Sequence, residues 1–389
     1  MYQRIIQRPN KSFFLFGPRG TGKSTWLKSL KFDYSIDLLN AKMKLDLLSN
    51  PHHLTELLSH LPKKSWVLID EVQKVPEILD EVHALYEEKS FNFALSGSSA
   101  RKIKRVHGNL LAGRAINCSL FSLVFPEYET NLPLDQRIEW GTLPLTVDNF
   151  MQKEDTLDSY INNYLTQELL EEGHIRKLEP FSRFLRVAGI MNGQILNVES
   201  VARDCKVSRT TVDQYFNILF ETLIAFKLPA YQPGIKVKEI GSPKFYFFDS
   251  GVARACAGLT NESLDRSYKG FLFETFLLNE IRAFNSYFKR NRDMFHYTIS
   301  NSFDIDLLIQ LEKKTVSKPD KIIAIEIKSS QDWKDAWSKT LESFLEAKSK
   351  IKIERLIGVY QGKQRLRSGK VDVFPVDLFL KELFDEKFF

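Results

Sequence analysis

Short apolar runs, each closed by glycine, proline or a charged cluster, mark the first third of the chain. SFFLF at 12–16, WVLI at 66–69 and FNFAL at 91–95 have the length and the aromatic or β-branched content of buried strands. Further on the period lengthens. Tyr160, Ile161, Tyr164 and Leu165 recur as one face of a helix, where core packing explains them better than a site. In LNVESVARDCKVSRTTVDQYFNILFETLIAF, 196–226, the pattern predicts a short helix over Val198–Cys205, a tight turn at Lys206-Val207, and a longer helix capped by Ser208. The longer helix carries the apolar stripe Val212, Tyr215, Phe216 and Leu219. That arrangement is a helix-turn-helix, and AFKLPAYQPGIKVKEIGSPKFYFFDSG reads as the β-wing of a winged helix.

The last third repeats the alternation in another order. YKGFLFETFLLNEIRAF predicts an apolar helix, MFHYTIS, FDIDLLIQL and KIIAIEIKSS predict three strands, and a helix and the strand RLIGVYQG follow. The closing VDLFLKELFDEKFF predicts an amphipathic helix docked on its own domain. SLFSLVFPEYETNLPLD, 119–135, reads as a last strand giving way to a connection. Three domains are expected, over 1–135, 150–250 and 251–389, with an α/β class for the first and last.

Composition narrows this picture without changing it. The 389 residues are 43% hydrophobic and 27% charged, which suits folded domains, and a net charge of +6 is only a mild lean toward polyanions. Three scattered cysteines and seven histidines form neither a CxxC nor an HExxH pattern, so no disulfide framework or zinc site is indicated. No run has the length of a membrane span, and MYQRIIQRPN lacks the apolar stretch of a signal peptide, so a cytoplasmic location without membrane contact is the expectation.

Chemistry enters at KSFFLFGPRGTGKST. Gly17, Gly20, Gly22, Lys23 and Ser24 satisfy G-x-x-x-x-G-K-[ST] after an apolar strand. The backbone of Gly17, Pro18, Arg19, Gly20, Thr21, Gly22, Lys23, Ser24 and Thr25 is expected to wrap phosphates at a helix N-terminus. Lys23 would reach the β- and γ-phosphates, and Ser24 would hold Mg²⁺. WVLIDE supplies the second half: Asp70 to hold Mg²⁺ through water and Glu71 as the general base for an attacking water. With FNFALSGSS between those strands in a sheet, Ser96 or Ser98 would face the γ-phosphate. Arg114 is a candidate arginine finger, implying a homo-oligomer if it acts across a subunit boundary. Arg101, Lys102, Lys104 and Arg105 form a basic cluster that either is a solvated face or meets nucleic acid.

The strand and P-loop, DYSIDLLN, WVLIDEVQKVPEIL, LSGSSARK and NLLAGRA together resemble the AAA-type ATPase domain of a bacterial and archaeal family of uncharacterised ATPases. There the ATPase is followed by a domain of unknown function. The resemblance runs over essentially the whole chain, and it implies ATP binding and hydrolysis.

Glu-x-Lys occurs four times, at Glu87/Lys89, Glu312/Lys314, Glu326/Lys328 and Glu346/Lys348, but only Glu326/Lys328 closes an apolar strand. If FDIDLLIQL and KIIAIEIK form a hairpin with its loop centred on Val316, Asp306 lies opposite Glu326, with Lys328 further along the same face. Opposed carboxylates repel, and a divalent cation relieves that; hard oxygen ligands suit Mg²⁺, with Mn²⁺ as an alternative. Lys328 would then orient a bound water or stabilise charge on phosphate. This set is similar to the restriction-endonuclease-like fold. The resemblance implies Asp306 and Glu326 as metal ligands, Lys328 as the catalytic lysine and Glu274 as the acid of the preceding helix.

The expectation is an ATP-dependent protein acting on nucleic acid, DNA before RNA, with metal-dependent phosphodiester cleavage. Two alternatives stand beside it. One is an ATP-driven switch whose last domain only binds nucleic acid or protein. The other is an ATP-controlled DNA-binding regulator reading sequence through Arg209, Thr210, Thr211 and Gln214.

Overall fold

The computed structural model describes every residue except 1, 99–112, 129–131, 166–168, 171–174, 176, 233–240, 301–302, 316–317 and 348–350. The basic cluster Arg101–Arg105 therefore lies outside the described residues.

The N-terminal part is a parallel sheet of β1 (Phe13–Phe16), β2 (Tyr34–Asp37), β3 (Trp66–Asp70), β4 (Asn92–Gly97) and β5 (Ile116–Ser119), in the order β2-β3-β4-β1-β5. Strand β4 thus separates the P-loop strand from the acidic strand, the order an ATPase sheet requires of it. Because side chains alternate across a strand, Phe13 and Leu15 pack with Trp26 and Leu27, while Phe14 and Phe16 pack on the other face with Ile69, Phe93 and Leu95.

The last strand is earlier than expected. It ends at Ser119, and 120–128 contains no strand. Those residues are held by carboxylates instead: Glu127 accepts from the amides of Ile5 (2.9 Å) and Val124 (3.2 Å), and Glu280 accepts from the amide of Phe125 (2.9 Å). The segment bridges the N-terminal sheet to the C-terminal part rather than extending the sheet.

In the middle part, helices Val198–Cys205 and Arg209–Glu221 are joined by a three-residue turn. Lys206 ends the first in the left-handed region, and Ser208 caps the second by accepting from the Thr211 amide. The stripe Val212, Tyr215, Phe216 and Leu219 is buried, with Phe184 packed edge-on to Phe216 at 4.8 Å. Strands β6 (Ala225–Leu228) and β7 (Lys244–Phe247) pair antiparallel, Phe226 opposite Tyr246 and Leu228 opposite Lys244. Tyr160 is buried as expected, but its hydroxyl also donates to the carbonyl of Arg19 in the glycine loop (2.9 Å), so it is more than core.

The C-terminal part is a mixed sheet of β8 (Asp293–Ser300), β9 (Phe303–Glu312), β10 (Asp320–Lys328), β11 (Ile351–Tyr360), β12 (Leu366–Ser368) and β13 (Val371–Pro375), ordered β12-β13-β11-β10-β9-β8. Helix Arg266–Tyr287 covers one face, against Ile323, Ile325 and Ile327; helix Asp335–Ala347 covers the other, against Ile322 and Ala324. The closing helix Val376–Phe384 docks on the first of these, with Phe384 edge-on to Phe284 at 5.7 Å. Among the described residues no helix is long and apolar enough to cross a membrane.

Glu280, 1% exposed, ties the parts together by accepting from Phe125 N–H and from the Tyr128 hydroxyl at 3.0 Å. Burial pushes its carboxyl up from 4.5 to about 8, which those hydrogen bonds and Arg137 only partly offset. A raised carboxyl favours the folded state below its unfolded value and loses that advantage as pH rises toward the folded one. We expect Glu280→Gln to melt at a higher temperature than wild type near pH 8, the difference shrinking as pH falls toward 4.5. Thermal melts across that range check it, and a pH-independent difference would rule it out.

Candidate functional site

The glycine loop is closed on itself. Lys23 is buried, and its Nζ donates to the carbonyls of Gly17 (2.7 Å) and Pro18 (3.1 Å). Gly22 stands at φ 90°, where a Cβ would be strained, and a Cβ on Gly17 would strike the Leu120 carbonyl. Arg4 braces the loop from outside, donating to Thr21 O (2.9 Å) while paired with Glu127 at 3.0 Å. Helix Lys23–Ser29 begins at the loop, so its N-terminal dipole end faces any phosphate held there.

Asp70 and Glu71 lie where β3 ends. Asp70 is 4% exposed and accepts from the Ser96 hydroxyl, whose oxygen also receives the Glu71 amide at 3.2 Å. Ser98 bonds Gln73 Nε2 at 2.9 Å, and the same amide donates to the Glu71 carboxylate. Gln73 was missed in the sequence; its one signal was a polar residue two places after an acidic pair. It holds Glu71 and Ser98 as a unit, and Glu71 itself sits at φ 60°. Asp70 at the end of β3 and Ser24 at the start of the loop helix are hard oxygen donors, a type that fits Mg²⁺ bound with a nucleotide's phosphates. Arg114, by contrast, is ion-paired to Glu87 at 2.5 Å. A cavity of about 430 Å³ lined by Gln3, Arg4, Gly22, Thr25, Trp26 and Pro144 adjoins the loop helix and is large enough for a nucleoside.

The second cluster sits at the meeting of the middle and C-terminal parts. The ladder of β9 and β10 pairs Ile325 with Leu307, the register that sets Asp306 opposite Glu326. Asp306 accepts from the Ile327 amide (2.7 Å) and from Lys328 Nζ (3.4 Å), and Lys328 also pairs with Glu326 at 2.5 Å. Glu274 comes from helix Arg266–Tyr287 and receives the Tyr246 hydroxyl.

Two residues unnoticed in the sequence complete the cluster. Lys244 of β7, 6% exposed, reaches Asp304 (3.0 Å), Glu274 (3.4 Å) and Asp306 (3.9 Å). Asp304 also accepts from the Thr298 hydroxyl at 2.5 Å. Nothing local marks Lys244; its partners are 30 to 62 residues away in sequence, and only folding joins them.

Burial and the neighbouring Asp306 push the Glu326 carboxyl up to about 8. Burial likewise raises Glu274 to about 7 against the pull of Lys244. Burial alone would lower the Lys244 ammonium, but Glu274, Asp306 and Asp304 raise it above the usual lysine range. Four carboxylates thus meet two ammonium groups, and Glu326 Oε2 is buried without a hydrogen-bond partner. The donor type and the orphaned oxygen fit a hard divalent cation. Yet among the described residues no three acids, histidines or cysteines converge as they stand into a metal cage. The Lys244 ammonium already lies among three of the carboxylates.

The helix-turn-helix tip is less cationic than its sequence suggested. Arg209 is exposed but paired with Glu199 (2.7 Å) and Asp213 (3.8 Å), while Thr210 and Gln214 point to solvent.

A glycine loop closed on a lysine, an acidic strand end, and a serine-bearing strand between them define an α/β P-loop ATPase domain. Residues 9–129 accordingly match the family model described as an AAA domain. Residues 132–263 and 269–379 match two domains of unknown function, DUF8612 and DUF4143. An uncharacterized protein of Mycobacterium tuberculosis is 23% identical over 375 residues, 94% of this chain and 80% of its own length. Another from Methanocaldococcus jannaschii is 22% identical over 338 residues, 79% of this chain and 74% of its own. A solved DNA polymerase III gamma subunit-related protein from Thermotoga maritima is 12% identical, with 55% of this chain and 93% of that chain covered. Its TM-score of 0.21 carries no argument.

If Glu71 is the base that its place after Asp70 suggests, Glu71→Gln is expected to lower ATP turnover by about 100-fold or more while ATP affinity holds; phosphate release and nucleotide binding measured together check it. Lys244→Met should leave three carboxylates without their shared ammonium and tighten Mn²⁺ binding by about tenfold. Titration calorimetry on both proteins reads this, and no metal-dependent heat from either would show that the acids do not take a cation.

Proposed function

We propose that this protein couples ATP hydrolysis to work on nucleic acid, DNA before RNA, and that its C-terminal part cleaves phosphodiester bonds with a divalent cation. On this reading 1–135 forms the ATPase, 150–250 a winged-helix module and 251–389 a restriction-endonuclease-like domain, in a cytoplasmic protein. The observation that carries it is the buried pair Asp306 and Glu326 with the part-buried Lys328 at the paired ends of β9 and β10, and Glu274 arriving from a helix. In the ATPase, Lys23 would bind phosphate, Ser24 and Asp70 would hold Mg²⁺ and Glu71 would draw the proton from the attacking water, with Ser96, and Ser98 joined to Gln73, keeping that base in place. In the second site a cation, Mg²⁺ or Mn²⁺, held by Asp306 and Glu326 would lower the pKa of a bound water. Lys328 stabilises charge on the phosphate, and Glu274 adds a carboxylate at its edge.

Lys244 favours a second reading. While it is seated, the acids are neutralised from within, as in an ATP-driven switch whose C-terminal part binds without cutting. Arg114, paired to Glu87, offers no support for a finger in the same chain, so a role across a subunit boundary requires that pair to open. The acid-flanked Arg209 weighs against a regulator that reads DNA through this helix.

Incubating labelled DNA and RNA with ATP and Mg²⁺ or Mn²⁺ separates the two. Cleavage by wild type, lost in Glu326→Ala and dependent on Lys23, is the expected result. ATP hydrolysis without any cleavage by wild type would eliminate the nuclease reading in favour of the switch.

A further inference from the structure

A second cavity, about 440 Å³, opens where the three parts of the chain meet. Its walls include Gly17 and Pro18 of the glycine loop, Phe121 beyond β5, Phe226 and Lys227 of β6, and Arg282 of helix Arg266–Tyr287. No aspartate or glutamate lines it.

Arg282 is the unusual member. Its guanidinium lies 3.6 Å from the centre of the Phe226 ring and 5.4 Å from that of Phe121. Among the described residues it has no carboxylate or hydrogen-bond acceptor. Ring faces attract the cation, but they offer its five N–H donors no protein acceptor, so those donors are open to the cavity. Burial drives the guanidinium down to about 10, the direction expected of a cation without an anion. Arg282 is itself half-buried, whereas three neighbouring arginines with buried side chains each have a carboxylate partner: Arg4 has Glu127, Arg137 has Asp377 and Arg254 has Glu139.

We propose that this cavity is a phosphate site and that Arg282 is its fork. A planar guanidinium with free donors suits a phosphoryl group, which takes two parallel N–H bonds, and Lys227 at the rim adds charge. The nearest source is the terminal phosphate of ATP in the loop, since Gly17 and Pro18 belong both to that loop and to the cavity wall. The other source is a phosphate arriving on its own. Arg282 then supplies, from the C-terminal part of the same chain, the cation that Arg114 does not direct at the nucleotide. This rests on the P-loop binding ATP, and Lys23→Ala, which tests that alone, is the control.

Affinities for ATP and ADP are measured by competition with a fluorescent nucleotide in a Glu71→Gln background, which holds ATP intact. Arg282→Gln and Arg282→Lys are compared there, and thermal shifts with inorganic phosphate are recorded for the Lys23→Ala protein with and without Arg282→Gln. Loss of about tenfold in ATP affinity with ADP unchanged in Arg282→Gln, partly restored by Arg282→Lys, is expected if the γ-phosphate is the occupant. Unchanged nucleotide affinities with loss of the phosphate-induced shift assign the site to a free phosphate. The proposal is overturned if neither nucleotide affinity nor the phosphate shift responds to Arg282→Gln. Equal losses of ATP and ADP affinity with a lowered melting temperature, or the same behaviour in Arg282→Lys, overturn it too, because they mark a packing role. Loss of ATP binding in Lys23→Ala is independent of all of these.

Discussion

An ammonium group from one part of the chain sits among carboxylates of another, and the C-terminal architecture depends on that arrangement. Glu274, Asp304 and Asp306 are brought together by strand register and helix packing, and a buried cluster of like charge is costly unless cations enter it. Lys244 answers three of them from β7, and Lys328 answers Asp306 and Glu326 from β10. The two-stranded β6–β7 unit is therefore pinned to the acid cluster by charge, while the Phe226–Tyr246 stack joins its own two strands. The same placement seats a tethered ammonium where the proposed cation would have to enter.

One helix runs through every interface that matters. Within Arg266–Tyr287, Glu274 faces the acid cluster, Glu280 accepts from Phe125 and Tyr128, Arg282 faces the junction cavity, and Tyr287 bonds Arg4 and the Phe121 amide. Eight residues separate Glu274 from Arg282, about 12 Å along an α-helix. A rigid element of that length reports a change at one end to the other. The β6–β7 pair does the same in parallel, since Phe226 stacks under Arg282 while Lys244 and Tyr246 engage Glu274. A phosphate beside Gly17 and the charge state of the acid cluster thus share two mechanical links. Coupling between them follows if either link has a second stable position.

Local pattern made much of this legible. The P-loop, the Asp70-Glu71 strand end, the Ser208 cap and the hairpin register are all set by residues close in sequence or by strict alternation along a strand. Such features survive any choice of tertiary partner. The strand expected within 119–135 was misplaced because Phe125, Glu127 and Tyr128 are committed to distant hydrogen bonds, which no local propensity encodes. Tyr160 looked like core and is also a donor to the loop, for the same reason.

What the sequence by itself determined is the chemistry available: a complete phosphate loop, an acid pair beside it, and an Asp facing a Glu-x-Lys across a hairpin. Periodicity and spacing carry that much, because each motif is closed within one or two neighbouring elements. Only the tertiary structure decided which charges meet. It set Lys244 among Glu274, Asp304 and Asp306, turned Arg114 onto Glu87, paired Arg209 with acids and left Arg282 on two aromatic rings. Those outcomes depend on long-range packing and on the cost of burying charge, neither of which is written into any short stretch of the chain.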